Sequence, residues 1–134
     1  MKNSSIKYPK RIRQVLDFKG VGNSKIHPSD IDAILEFDNK YLIIFECKLK
    51  GVTVPFGQRL LFERIADAWQ LQNGQAFVVY CEHQTNPLEF IKMANTTVVE
   101  VYHKQKNHKR NENVLNFLIK LADNYNITKL KNSL

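Results

Sequence analysis

Cysteine is scarce in this chain: Cys47 and Cys81 are the only two among 134 residues. Two are too few for a disulfide framework, and they form no C-x-x-C pair. Each sits in an apolar run, where a thiol behaves as a small hydrophobe, so a reducing compartment is the expected setting. Long apolar runs are missing too. None approaches the roughly 20 residues of a membrane span, and 1–5 lead into no apolar signal core. The expectation is a cytoplasmic protein, of a cell or of something that infects it, with no membrane partner and no organic cofactor. Acids are outnumbered: 13 Asp and Glu face 20 Lys and Arg, a formal charge of +7. That surplus says nothing about the fold, but it favours a polyanionic partner, nucleic acid first.

What the chain does have is an ordinary globular composition, 43% hydrophobic and 25% charged. Its length suits one domain spanning 1–134, with 1–8 and 126–134 expected to be loose. Apolar spacing predicts a helix over 9–18, ended by Gly20 and Gly22. Residues 23–29 read as a loop or short strand. Strands are predicted over 30–37 and 41–48, joined by the turn residues Asp38-Asn39-Lys40. The second is apolar on both faces and so reads as central. The strongest helix covers 56–72, with Leu61, Phe62, Ile65, Ala66 and Trp69 at helical spacing. A short buried strand over 76–80 follows, then a wandering stretch over 84–95 and a strand over 96–102. A polar basic loop over 103–113 leads to a closing helix over 114–125, its apolar side read as Leu115, Leu118, Ile119, Leu121 and Ala122. The order predicts an α/β fold, a mixed sheet flanked by helices.

The strands over 30–37 and 41–48 raise a question, because they carry acids into a core. Side chains alternate faces along a strand. Leu42, Ile44, Glu46 and Lys48 therefore share one face, and Asp30, Asp32, Ile34 and Glu36 share one. A three-residue turn pairs Phe37 with Tyr41, hence Asp32 with Glu46 and Asp30 with Lys48. A two-residue turn would scatter these groups onto opposite faces. Opposed residues have Cβ atoms about 5 Å apart, two carboxylates held that close repel, and a divalent cation relieves the conflict. Mg²⁺ prefers hard oxygen ligands, polarises phosphate and acidifies a bound water, while a nearby lysine stabilises charge growing on phosphorus. The bland alternative makes Glu46 and Lys48 strand-end surface charges and Asp32 a turn cap.

Ser29-Asp30-Ile31-Asp32 followed by Glu46-Cys47-Lys48 resembles the PD-(D/E)xK nuclease superfamily, with its restriction-endonuclease-like fold. Val54-Pro55-Phe56-Gly57-Gln58 and Gln58-Arg59-Leu60-Leu61-Phe62 resemble the Q-x-x-x-Y element of some branches, with Phe62 in place of the tyrosine. The likeness covers 28 to about 83 and is closest to small phage and bacterial members. It implies a helix-strand-strand-strand-helix-strand core. It also implies Asp32, Glu46 and the backbone carbonyl of Cys47 as Mg²⁺ ligands, with Mn²⁺ able to substitute. Lys48 would be the water-orienting or transition-state residue, and Gln58 would reach the site or a phosphate. Asp30 stands as a second-metal or supporting group, or as an ion-pair partner of Lys48 or Lys50. Asp17 is the only acid on the first helix.

The resemblance implies a Mg²⁺-dependent DNA endonuclease, structure-selective or assisted, in phage or bacterial DNA processing and recombination. The alternatives are an exonuclease or Holliday junction resolvase of the same fold, or a nucleic-acid-binding or assembly protein without turnover. A homodimer is the form many such nucleases use to cut two strands. His83 reads as a strand-end histidine or a group near the site. Candidate DNA contacts are Lys10, Arg11, Arg13, Lys50, Arg59, Lys104, Lys106, Lys109 and Arg110, because clustered cations contact phosphates.

Overall fold

The computed structural model describes residues 17, 19–22, 28–72 and 74–134. The chain divides into two units, Met1–Asp30 and Ile31–Leu134. In the first, Lys19 N donates to Asp17 Oδ1 at 2.9 Å and Gly20 takes φ +88°. The helix expected over 9–18, with Lys10, Arg11 and Arg13, lies outside the described residues apart from Asp17.

The second unit is a five-stranded sheet in the order β1-β2-β3-β4-β5. The strands are β1 (Ala33–Phe37), β2 (Tyr41–Leu49), β3 (Gln75–His83), β4 (Thr97–His103) and β5 (Lys106–Asn113). β2 and β3 run parallel, joined by helix α1 (Phe56–Leu71); the other neighbours are antiparallel. Helices α2 (Val114–Tyr125) and α3 (Thr128–Lys131) end the chain. The sheet is thus mixed and helix-flanked, as expected. Among the described residues two strands precede α1, not the three that the resemblance implied, and 23–27 lie outside them.

β2 is central because both its faces are apolar. Ile43 and Phe45 enter one core layer with Phe77, Val79, Val98, Val101 and the buried face of α2. Leu42 and Ile44 enter the other with Val78, Tyr80, Phe62 and Ala66 of α1. Helix α1 turns Phe62 and Ala66 inward, while Leu61 is exposed, so the inward stripe runs one residue off the expected line through Leu61. In α2 the buried side is Val114, Phe117, Leu118, Leu121 and Ala122. Leu115 and Ile119, expected on that side, are exposed. The Asn113 side chain caps α2 by accepting from Asn116 N at 2.8 Å, which fixes where its helical phase begins.

Two stretches read as irregular are built in. The basic stretch 103–113 is no loop: it completes β4, turns through Lys104 and Gln105 at φ 51° and 62°, and returns as β5. Paired left-handed residues match the twist of a tight hairpin. β5 has no apolar member to betray it, because an edge strand of Lys, Asn, His and Arg resists further pairing. The tail 126–134, expected to be loose, buries Ile127 and Leu130, and Lys129 Nζ lies 2.8 Å from Asp38 Oδ1.

The return from α1 to β3 is tight. Trp69 Nε1 and Gln75 N both donate to Lys40 O, at 2.9 and 2.8 Å. A Cβ on Gly74 would meet Trp69 Nε1 at 2.3 Å and Lys40 O at 2.7 Å. We expect Gly74→Ala to destabilise the fold by about 1–3 kcal/mol, the usual cost of overpacking. Urea unfolding measures it, and an unchanged midpoint would show that this corner is not close-packed.

Candidate functional site

The β1–β2 register decides where the acids stand. It runs from Phe37↔Tyr41 to Ala33↔Phe45, the pairing of a three-residue turn. Asp38 and Asn39 take φ 58° and 54°, a conformation these two residue types tolerate, and Lys40 N closes the turn on Phe37 O at 3.0 Å. Asp32 follows the last ladder pair. Its side chain takes over where the strand stops: Oδ2 accepts from Cys47 N at 2.7 Å. Asp32 is exposed, and its other oxygen belongs to an accessible side chain.

Glu46 shares the α1 face with Ile44 and is only 1% exposed. An ionised carboxylate so buried requires compensation. Lys48 Nζ lies 3.0 Å from Glu46 Oε1 with its own side chain 29% exposed, so the ammonium reaches water while the carboxylate does not. Both carboxylates act on Cys47. Burial first, then Asp32, then Glu46, pushes its thiol up to about 11. Sulfur is therefore a protonated bystander here, and only the backbone of Cys47 is suited to metal ligation. Cys81, buried and pushed up to about 12 mainly by burial, is equally inert.

Gln58 lies in the first turn of α1, half-buried, its N–H directed at Pro55 O at 3.1 Å. The same turn carries Arg59. This cation, expected among the DNA contacts, is committed within the protein instead: it pairs with Glu100, lies 3.6 Å from Glu63 and stacks 4.2 Å over the Tyr80 ring. Tyr80 donates to Glu63 Oε2 at 2.6 Å, and burial followed by this bond raises its hydroxyl pKa. Register places Glu46 beside Tyr80, Tyr80 beside Glu100, and Lys48 beside Glu82. The sequence reading passed over Glu63, Tyr80, Glu82 and Glu100. Alternation held the signal for two of them, because Val78, Tyr80 and Glu82 repeat in β3 the phase of Ile44, Glu46 and Lys48 in β2. Glu100 is obscured by a bulge between Val98 and Glu100.

The basic hairpin does not surround this site. Lys48 stands level with Thr97, where β4 begins, whereas Lys104 and Lys106 flank the turn where β4 ends. Lys109 is level with Glu46, but three strand spacings away, about 14 Å. Lys50 is an exposed turn residue whose N–H donates to His83 O at 2.9 Å. His83 Nδ1 accepts from Thr85 N at 3.2 Å, which fits a strand-end anchor. Asp17 and Asp30 belong to the first unit.

No protein-family profile, curated protein or solved structure matches this chain. The residues alone carry the chemistry. Among the described residues, no set of three or more His, Cys, Asp and Glu side chains stands ready to hold a metal ion. The donor set is smaller, two carboxylates and a backbone carbonyl. Both acids raise the pKa of the Cys47 thiol, and Lys48 pairs with Glu46. Two carboxylates leaving room for water and phosphate oxygens are what Mg²⁺ commonly takes from protein.

At pH 8 we expect Cys47 to react with a thiol-specific disulfide reagent about a hundredfold more slowly than in the unfolded chain, because its thiolate is that much scarcer. Asp32→Asn keeps a hydrogen-bond acceptor but removes a charge, and should speed labelling of Cys47. Labelling at the unfolded rate, or indifference to Asp32→Asn, would mean that Asp32 does not act on this thiol.

Proposed function

We propose that the protein is a Mg²⁺-dependent phosphodiester hydrolase acting on DNA, an endonuclease of the PD-(D/E)xK kind. One observation carries the reading: the side chain of Asp32 accepts from the backbone of Cys47, the residue between Glu46 and Lys48, and Lys48 pairs with Glu46. A strand needing only stability would do better with apolar residues there, since removing a carboxylate from water costs several kcal/mol even when it is paired.

Asp32 and Glu46 would hold the cation, with the Cys47 carbonyl. When bound, Mg²⁺ polarises a phosphate oxygen and lowers the pKa of a water. The residues do the rest. Glu46 is almost wholly buried, so little water competes for its carboxylate, and a cation reaching it would be attracted strongly. Lys48 brings a mobile positive charge to the open side of Glu46, where it can donate to a phosphate oxygen or orient the attacking water. Gln58, at the start of α1, offers a neutral amide to the substrate. Arg59 and Tyr80 work from behind: their pairing with Glu63 and Glu100 fixes the α1 turn that carries Gln58 against β3.

Purified protein incubated with plasmid, single-stranded and branched DNA is expected to cut at least one of them in Mg²⁺ or Mn²⁺ and none in EDTA. Glu46→Gln and Lys48→Ala should each lower the rate by a hundredfold or more, about 3 kcal/mol of transition-state stabilisation, with circular dichroism unchanged. DNA retarded equally with and without metal, and never cut, would favour a binding or assembly role on the same fold. Cutting by both variants at the wild-type rate would remove Glu46 and Lys48 from the chemistry.

A further inference from the structure

The other face of the sheet holds a cavity of about 250 Å³ between β5 and α2. Its walls include Phe77, His103, His108, Arg110, Lys120 and Tyr125. It owes nothing to Glu46, whose side chain lies on the α1 face. We propose that this cavity is a phosphate-binding site, with Arg110 as its principal ligand.

The wall chemistry supports that assignment. His103 stacks on Phe77 with centroids 4.2 Å apart, and Tyr125 meets both rings edge-on. The imidazole is already committed, with Nε2 2.8 Å from Gln75 Oε1. Burial, reinforced by Lys104 and His108, pushes it down to about 4, so it is a neutral aromatic wall at ordinary pH. Lys120 also has a partner, Glu112 Oε1 at 3.0 Å. Arg110 has no ion pair among the described residues, and it projects from the strand position facing the cavity. Leaving the histidines aside, the lining carries one positive charge in excess, Arg110 and Lys120 against Glu112.

Arg110 is exposed, so its unmatched guanidinium is open to an anion arriving from solvent at the mouth of the cavity. Its planar fork donates two parallel bonds to oxygens of one phosphate. The edge strand adds to the field, because Lys106 and His108 share its face with Arg110 by alternation. The volume lies below the ~300–1,000 Å³ of pockets for drug-sized ligands, which suits a single phosphoryl group rather than a whole cofactor. That group could belong to a free nucleotide or to the end of a nucleic acid strand, and the same Arg110 contact would hold either.

The test is calorimetric titration in EDTA, so that no metal-dependent step intervenes. The probes are inorganic phosphate, a 5′-mononucleotide, and a short oligonucleotide with and without a 5′-phosphate. Wild-type protein should bind inorganic phosphate saturably with one site. Arg110→Ala should weaken it by about tenfold or more, the loss of a charge-assisted contact. Lys109→Ala removes the same charge from the adjacent residue on the opposite face and should change phosphate binding by less than about twofold. The tighter of the mononucleotide and the 5′-phosphorylated oligonucleotide identifies the source of the group. Absence of saturable phosphate binding, or equal losses in the two variants, would overturn the assignment. Neither outcome touches the site on the α1 face.

Discussion

The turn at 38–40 is the constraint from which the rest follows. Because Asp38 and Asn39 accept left-handed backbone, the hairpin closes over three residues and pairs Phe37 with Tyr41. A slip of one residue would send every side chain of β1 to the other face. Ala33, Leu35 and Phe37 would leave the core layer they support, and Asp32 would lose its place at Cys47 N. Lys129 grips Asp38 from α3, so the end of the chain helps hold the turn that positions the candidate site.

A second constraint is the burial of Glu46. The parallel β2–β3 pair covers it from the side, and the layer containing Phe62 and Ala66 lies on the same face. Lys48 pairs with the carboxylate at 3.0 Å while its own side chain stays partly exposed. Beside it, Arg59 ties α1 to β4 across the Tyr80 ring, with Glu63 as the second anchor. This network absorbs a cation that a reading of charge alone would have given to DNA. Four other cations, Lys104, Lys106, Lys109 and Arg110, stand on the β4–β5 hairpin. The acids Glu46, Glu63 and Glu100 thus gather on the α1 face, while Arg110 and Lys120 line the β5–α2 cavity.

Strands and helices were largely legible in the sequence. The closing helix over 114–125 is found at those bounds, because Asn113 is a strong cap and Asn126 adopts the left-handed conformation that ends it. The hairpin register was legible too, because Asp-Asn-Lys between two apolar runs limits the turn. β5 was not: an edge strand composed of polar residues has no hydrophobic alternation to read. The exposed positions Leu61, Leu115 and Ile119 show the limit of periodicity, which finds a helix but not which of two adjacent apolar residues faces inward. At the candidate site, the shared face of Glu46 and Lys48 and the approach of Asp32 to β2 were legible from spacing. The Arg59–Glu63–Tyr80–Glu100 network joins three elements distant in sequence, and only the sheet order brings them together.

The most direct test of the central claim is a crystal soaked in Mn²⁺, with the ion located by anomalous scattering. The account predicts one peak at the carboxylates of Asp32 and Glu46, with Lys48 displaced from Glu46 toward solvent. Bound Mn²⁺ elsewhere, or none while Lys48 stays on Glu46, would contradict it.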